Sequence, residues 1–114
     1  MIARLWSARS TKAQSTSYLE HFWHSVVPSL RKFDGYVAAS VLVRPFEDSV
    51  EILVTTVWQS IQSIEAFAGS DRETAVVASE AAALLTDYDH RVRHYEVAQM
   101  DGVSLRQSQP SQQS

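Results

Sequence analysis

Apolar and polar positions change period several times along the chain, and each change marks an element. Residues 2 to 9, IARLWSAR, read as a first strand that begins almost at the terminus. A strand there belongs inside a sheet, because an unpaired terminus frays. Ser10 or Thr11 caps the helix that follows. Tyr18, Leu19, Phe22, Trp23, Val26, Val27 and Leu30 then recur in steps of three and four, the spacing of an apolar helical stripe. Pro28 predicts an end or kink near Val27, with one more turn from Ser29 to Lys32. Asp34-Gly35 is a turn signal.

Residues 36 to 44, YVAASVLVR, and 50 to 58, VEILVTTVW, are rich in β-branched residues. With PFEDS as a five-residue loop between them, they predict a hairpin. Ser60 caps a helix whose buried stripe is Ile61, Ile64, Phe67 and Ala68, and Gly69 stops it. Asp71 predicts a further short helix through Val77, and residues 80 to 85 another. Residues 90 to 98, HRVRHYEVA, form the last strand. Residues 99 to 114 lose all periodicity, ending SLRQSQPSQQS, and predict a flexible polar tail.

The order is β-α-β-β-α-β. It predicts an α+β, ferredoxin-like domain over residues 1 to 98, with a four-stranded antiparallel sheet and helices on one face. In such a sheet the uncovered face should be polar. Here it is not. In the third strand Val50, Ile52, Val54, Thr56 and Trp58 make one face, and Leu53, Thr55 and Val57 the other. Two apolar faces predict a homodimer through the open sheet face.

Composition narrows the function. A net charge of −3 and a pI of about 5.7 argue against nucleic acid or an anionic membrane surface as partner. No run reaches the ~20 apolar residues of a membrane span, and no signal-peptide core precedes the first strand. These features predict a soluble, cytoplasmic protein. The absence of cysteine excludes disulfides and thiolate chemistry. No glycine-rich phosphate loop, nucleophile elbow or H-E-x-x-H motif occurs. A bound dinucleotide is therefore not expected, and neither is any other cofactor.

Four histidines are available. His21 and His24 lie three apart on the first helix, but no third ligand marks a metal site, and both read as solvent-side or boundary residues. His90 falls at a turn. His94 lies within the last strand beside Tyr95, and is the candidate for proton transfer near neutral pH. Trp23 reads as core. Trp6 and Trp58, at strand positions, could instead wall a pocket for a flat, apolar or aromatic ligand. Trp58, Trp6, Tyr95 and Phe67 are the candidate substrate-binding residues, and His94 the candidate catalytic one.

Four segments together resemble the antibiotic biosynthesis monooxygenase-like family: MIARLW, YVAASVLVR, VEILVTTVWQSIQSIEAFAGSD and HRVRHYEV. The resemblance covers about residues 1 to 98. Its most specific parts are Thr56, Trp58 and Ser60 followed by Ala66 to Gly69, and the strand His94 to Val97. It implies a dimeric α/β barrel with a ligand cleft between sheet and helices in each subunit. It also implies one of three roles: cofactor-independent oxygenation of an aromatic or quinol-type substrate, non-enzymatic binding of a small ligand, or haem binding. Trp58 is the position carried over from the family. Haem degraders of the family also use a histidine about ten residues on, where this chain has Ala68.

Overall fold

A computed structural model describes residues 1–102. The elements are β1 (Ile2–Thr11), α1 (Lys12–His21), a π-helical turn (Phe22–Val26), α2 (Val27–Leu30), β2 (Tyr36–Phe46), β3 (Ser49–Trp58), α3 (Ile61–Ala68), α4 (Ser79–Ala82), β4 (Asp87–Tyr88) and β5 (Arg93–Glu96). All strand pairs are antiparallel, in the order β2-β3-β1-β4, with β5 also paired to β1. β4 and β5 share one side of β1, β4 at Ala8–Arg9 and β5 at Ile2–Leu5. They are one broken edge strand, so the ferredoxin-like arrangement holds. The sheet is open rather than closed into a barrel. Of the expected polar tail, residues 103–114 lie outside the described part.

Side-chain alternation assigns the two faces. Val50, Ile52, Val54, Thr56 and Trp58 are all buried beneath the helices. They pack with Tyr18, Phe22, Val27, Leu30 and Ile64 in two clusters. The opposite face carries Leu5, Leu53, Leu42 and Tyr95. There Leu42 is 56% and Tyr95 48% exposed.

Helix caps follow the sequence closely. Thr11 Oγ1 accepts from Gln14 N–H, and Ser60 Oγ from Ser63 N–H. Gly69 ends α3 at φ 89°, its N–H bonded to Glu65 O. Gly35 has the same φ and approaches α3 so closely that a Cβ would overlap Ser63.

The first helix differs from its expected pattern. It runs through Pro28 because one turn widens, with Val27 N–H donating to Phe22 O five residues back. Proline supplies no N–H and crowds the preceding turn, and a π-turn relieves both. The extra residue keeps Phe22 and Val27 on the core side and rotates Trp23 away. Trp23, expected in the core, is 61% exposed, with the Arg31 guanidinium over its ring.

Three further expectations are corrected. The five-residue hairpin loop is shorter: β2 reaches Phe46 and β3 begins at Ser49, so Glu47-Asp48 alone make the turn, with Glu47 at φ 56°. The second short helix is confined to Ser79–Ala82, followed by a turn through Leu85. No helix starts at Asp71. Its carboxylate accepts from Thr74 Oγ1 and Arg91, and Arg4 takes the carbonyls of Arg72 and Thr74. An α-helix would need those carbonyls for its own N–H groups. The segment instead bridges Thr74 to Arg91, and this contact splits the last strand.

Candidate functional site

A cavity of about 80 Å³ lies between the sheet and the helical layer. Its floor is set by strand register. Cross-strand neighbours share a face, and β5, β1 and β3 place His94, Arg4 and Thr56 in one row. The next row holds Trp6 and Val54. Phe22, Val26 and Leu30 form part of the roof, and Val76, Val77 and Ala78 one wall. Phe67 reaches in from α3. Most of the lining is apolar, so its few polar groups stand out.

Arg4 is the sole buried charged residue among the described residues, at 5% exposure. Its Nη1 donates to Arg72 O and to His94 Nε2 at 3.0 Å, and its Nη2 donates to Thr74 O at 2.9 Å. Its guanidinium stands 5.6 Å from the Phe67 ring centroid. Burial lowers its pKa to about 10, so it stays cationic at neutral pH. No carboxylate among the described residues pairs with it, whereas Arg9, Arg44 and Arg72 each have one and Arg91 has two.

His94 lies behind Arg4 rather than in the cavity wall. A guanidinium has no acceptor, so the contact requires a lone pair on Nε2 and the proton on Nδ1. Burial, then Arg4 and Arg72, lowers the His94 pKa below its ordinary value, against a smaller opposing pull from Glu73. The imidazole is therefore neutral and holds Arg4 in place.

Trp58 also stands one layer back, at 0% exposure. Its indole Nε1–H donates to Thr56 Oγ1 at 2.9 Å, and its ring stacks on Phe67 with centroids 5.3 Å apart. Thr56 and Phe67 line the cavity, and Trp58 does not. Because Thr56 Oγ1 accepts from the indole, its own hydroxyl proton is left to donate elsewhere.

Of the candidate substrate-binding and catalytic residues, Trp6 and Phe67 line the cavity directly. Trp6 is fixed by Nε1–H donation to Asp89 O at 2.7 Å. His94 and Trp58 support lining residues. Tyr95 pairs with Ala3 on the opposite face, away from the cavity. Arg4, Thr56, Tyr18 and His21 are also in the lining, a place the sequence pattern does not give them: His21 reads there as a solvent-side or boundary residue and Thr56 only as part of a strand face and the family motif. Burial pushes the Tyr18 phenol up to about 12, so it stays protonated. His21 Nε2 is buried without a hydrogen-bond partner among the described residues. Arg4 did carry a signal: it is a lone charge within the set Ile2, Arg4, Trp6, Ala8.

An open antiparallel sheet with helices on one face, and a mostly apolar cavity beneath them, defines an α+β domain of the ferredoxin-like class. The family profile described as antibiotic biosynthesis monooxygenase matches residues 1–79, and the chain belongs to that family. No curated protein matches the sequence. Three solved structures share the fold. An inferred antibiotic biosynthesis monooxygenase from Bacillus cereus is 19% identical with a TM-score of 0.64, covering 90% of this chain and 95% of its own. One from Deinococcus radiodurans is 12% identical with a TM-score of 0.59, covering 90% and 98%. The haem degrader MhuD from Mycobacterium tuberculosis, solved with two haems in its active site, is 18% identical with a TM-score of 0.58, covering 90% and 100%.

Proposed function

We propose that this protein is a homodimeric, cofactor-independent monooxygenase acting on a small aromatic or quinol-type substrate in the Arg4–Trp6 cavity. The observation that carries this reading is the polar pair Arg4 and Thr56 at the floor of a mostly aromatic and aliphatic cavity, with His94 behind Arg4 in the same cross-strand row. Trp6 and Phe67 offer ring faces, and Arg4 and Thr56 offer donors. The oxidation converts one ring methylene and one molecule of dioxygen into a ring carbonyl and one water. Two C–H bonds break, one oxygen atom enters the carbonyl, and the other leaves as water with both hydrogens. The substrate supplies the electrons. Aerobic and anaerobic incubation with a panel of hydroquinones and anthrones tests it. Oxygen-dependent product with matching oxygen uptake is expected, and equal product without oxygen would remove the reading.

The dimer would form through the open sheet face, where Leu5, Leu42 and Leu53 stand without helical cover. Leu53→Glu, on that face, is expected to convert a dimer to a monomer in sedimentation velocity. An unchanged sedimentation coefficient would place the interface elsewhere.

A second reading, non-enzymatic binding of a small apolar ligand, is favoured by the engagement of His94 Nε2 with Arg4. It would be seen as ligand retained in native mass spectrometry without any oxygen uptake. Haem binding fits less well. Ala68 stands where a ligating histidine would be sought, and the cavity is about 80 Å³.

A further inference from the structure

Arg4 contributes a permanent positive charge to the wall of an apolar cavity. Taking such a charge out of water is costly unless an anion accompanies it. The three groups that contact its guanidinium are two backbone carbonyls and a neutral imidazole. They solvate the cation without neutralising it. The nearby carboxylates are committed elsewhere: Glu65 to Arg72 at 3.1 Å, and Glu73 to Arg91 at 2.8 Å. A guanidinium has five N–H groups. Three are used in these contacts, leaving two without a partner among the described residues. Thr56, its neighbour across the β1–β3 pair, has a hydroxyl proton to give once Trp58 has taken its lone pair. Two kinds of donor on one wall, facing Trp6 and Phe67, make a place for an anionic oxygen on an aromatic ring.

Volume limits that ring. A dry cavity of ~150 Å³ holds benzene, and this one has about 80 Å³. Val76 in its wall is half exposed, and among the described residues no backbone hydrogen bond of the loop network is donated by Val76, Val77 or Ala78, while Ala78 O accepts from Ala82 N–H. The cavity approaches the room that one ring needs and falls far short of what three fused rings need.

We propose that the cavity takes its ligand as an oxyanion, the phenolate or enolate of a single-ring aromatic compound, seated on Arg4 with Thr56 as a second donor. This deepens the monooxygenase reading and rests on it for the aromatic class. On ionisation the ligand O–H bond breaks and its electron pair stays on oxygen. The proton leaves to solvent at the Val76 side. His94 is a positioning residue, acting through Arg4.

The test uses 4-nitrophenol, whose phenolate has its own visible absorbance, with 4-nitroanisole as an uncharged analogue. With the intact wild-type chain at a pH where nitrophenol is ionised, nitrophenolate is expected to bind about 10- to 100-fold more tightly than nitroanisole, the range of a charge-assisted hydrogen bond. Bound nitrophenol should also ionise at lower pH than free nitrophenol. Equal affinity for the two compounds, or no binding of nitrophenolate, overturns the proposal. Arg4→Gln should abolish the preference, while Arg4→Lys should restore part of it. If Arg4→Gln does not fold by circular dichroism, the wild-type comparison decides. The two readings fail separately. A phenolate preference with no oxygen uptake on any quinol removes the monooxygenase and leaves the anion site. Oxygen uptake with unchanged kcat/KM in folded Arg4→Gln does the reverse.

Discussion

Arg4 Nη1 donates to His94 Nε2 at 3.0 Å across the β1–β5 pair, so the one cation buried among the described residues is held by a neutral histidine. Protonating His94 would remove the acceptor and set two cations against each other.

That contact gives stability a defined pH dependence. The His94 pKa is lowered from 6.5 in the folded chain. Below about 6.5 the unfolded chain therefore binds a proton that the folded chain resists. The stabilising contribution is complete above that pH and is lost as pH falls towards the folded value. Urea unfolding at about pH 7.5 and about pH 5.5 should show lower stability in acid. His94→Gln, whose amide oxygen can accept from Arg4, should flatten this part of the profile. An unchanged acid slope in the variant would assign it to other groups.

Trp58 and Trp23 should respond very unequally to truncation. Trp58 is fully buried, bonded to Thr56 and stacked on Phe67. Trp58→Ala should cost about 3–5 kcal/mol, as large aromatic truncations in cores do. Trp23 is exposed and contacts Arg31 through a cation–π interaction. Trp23→Ala should cost at most about 1 kcal/mol. Denaturant midpoints of the two variants check the contrast, and similar losses would contradict the rotation imposed by the π-turn.

Gly35 should not accept a side chain. Its φ is +89°, and a Cβ would overlap Ser63 on α3. Gly35→Ala combines backbone strain with overpacking and should lower stability by roughly 2 kcal/mol or more. Gly69 has the same φ but open space around it, so Gly69→Ala should cost less. Thermal melts of both variants measure the difference.

The Trp58–Thr56 bond also bears on ligand binding. Trp58→Phe removes the indole donor and frees Thr56 Oγ1 to choose another partner. Any ligand that uses the Thr56 hydroxyl should bind more weakly, by about 3- to 10-fold for one neutral hydrogen bond. Isothermal titration with 4-nitrophenol checks this in the folded variant. Affinity unchanged within a factor of two would place Thr56 outside ligand contact.

Local information was sufficient where local physics dominates. The caps Thr11 and Ser60, the stop at Gly69 and the paired β2 and β3 runs depend on neighbours a few residues away, and the chain states them directly. The two-faced apolar pattern of β3 likewise showed that the sheet has a second, uncovered apolar face. The site was less legible because its parts meet across long separations. Arg4 contacts residues 68, 70 and 90 positions away. His94 and Trp58 drew attention by residue type, yet each meets the cavity only through a neighbour that composition does not mark, Arg4 for one and Thr56 for the other. Tyr95 adjoins His94 in sequence and lies on the other face of the sheet, as strand alternation requires. Element order, the caps and the apolar supply of both faces are thus written in local stretches of the chain. Which charge is buried and which tryptophan is exposed emerge only in the packed molecule. Burial and pairing depend on strand register and on a one-residue widening of a helix, and both are settled by packing the whole chain together.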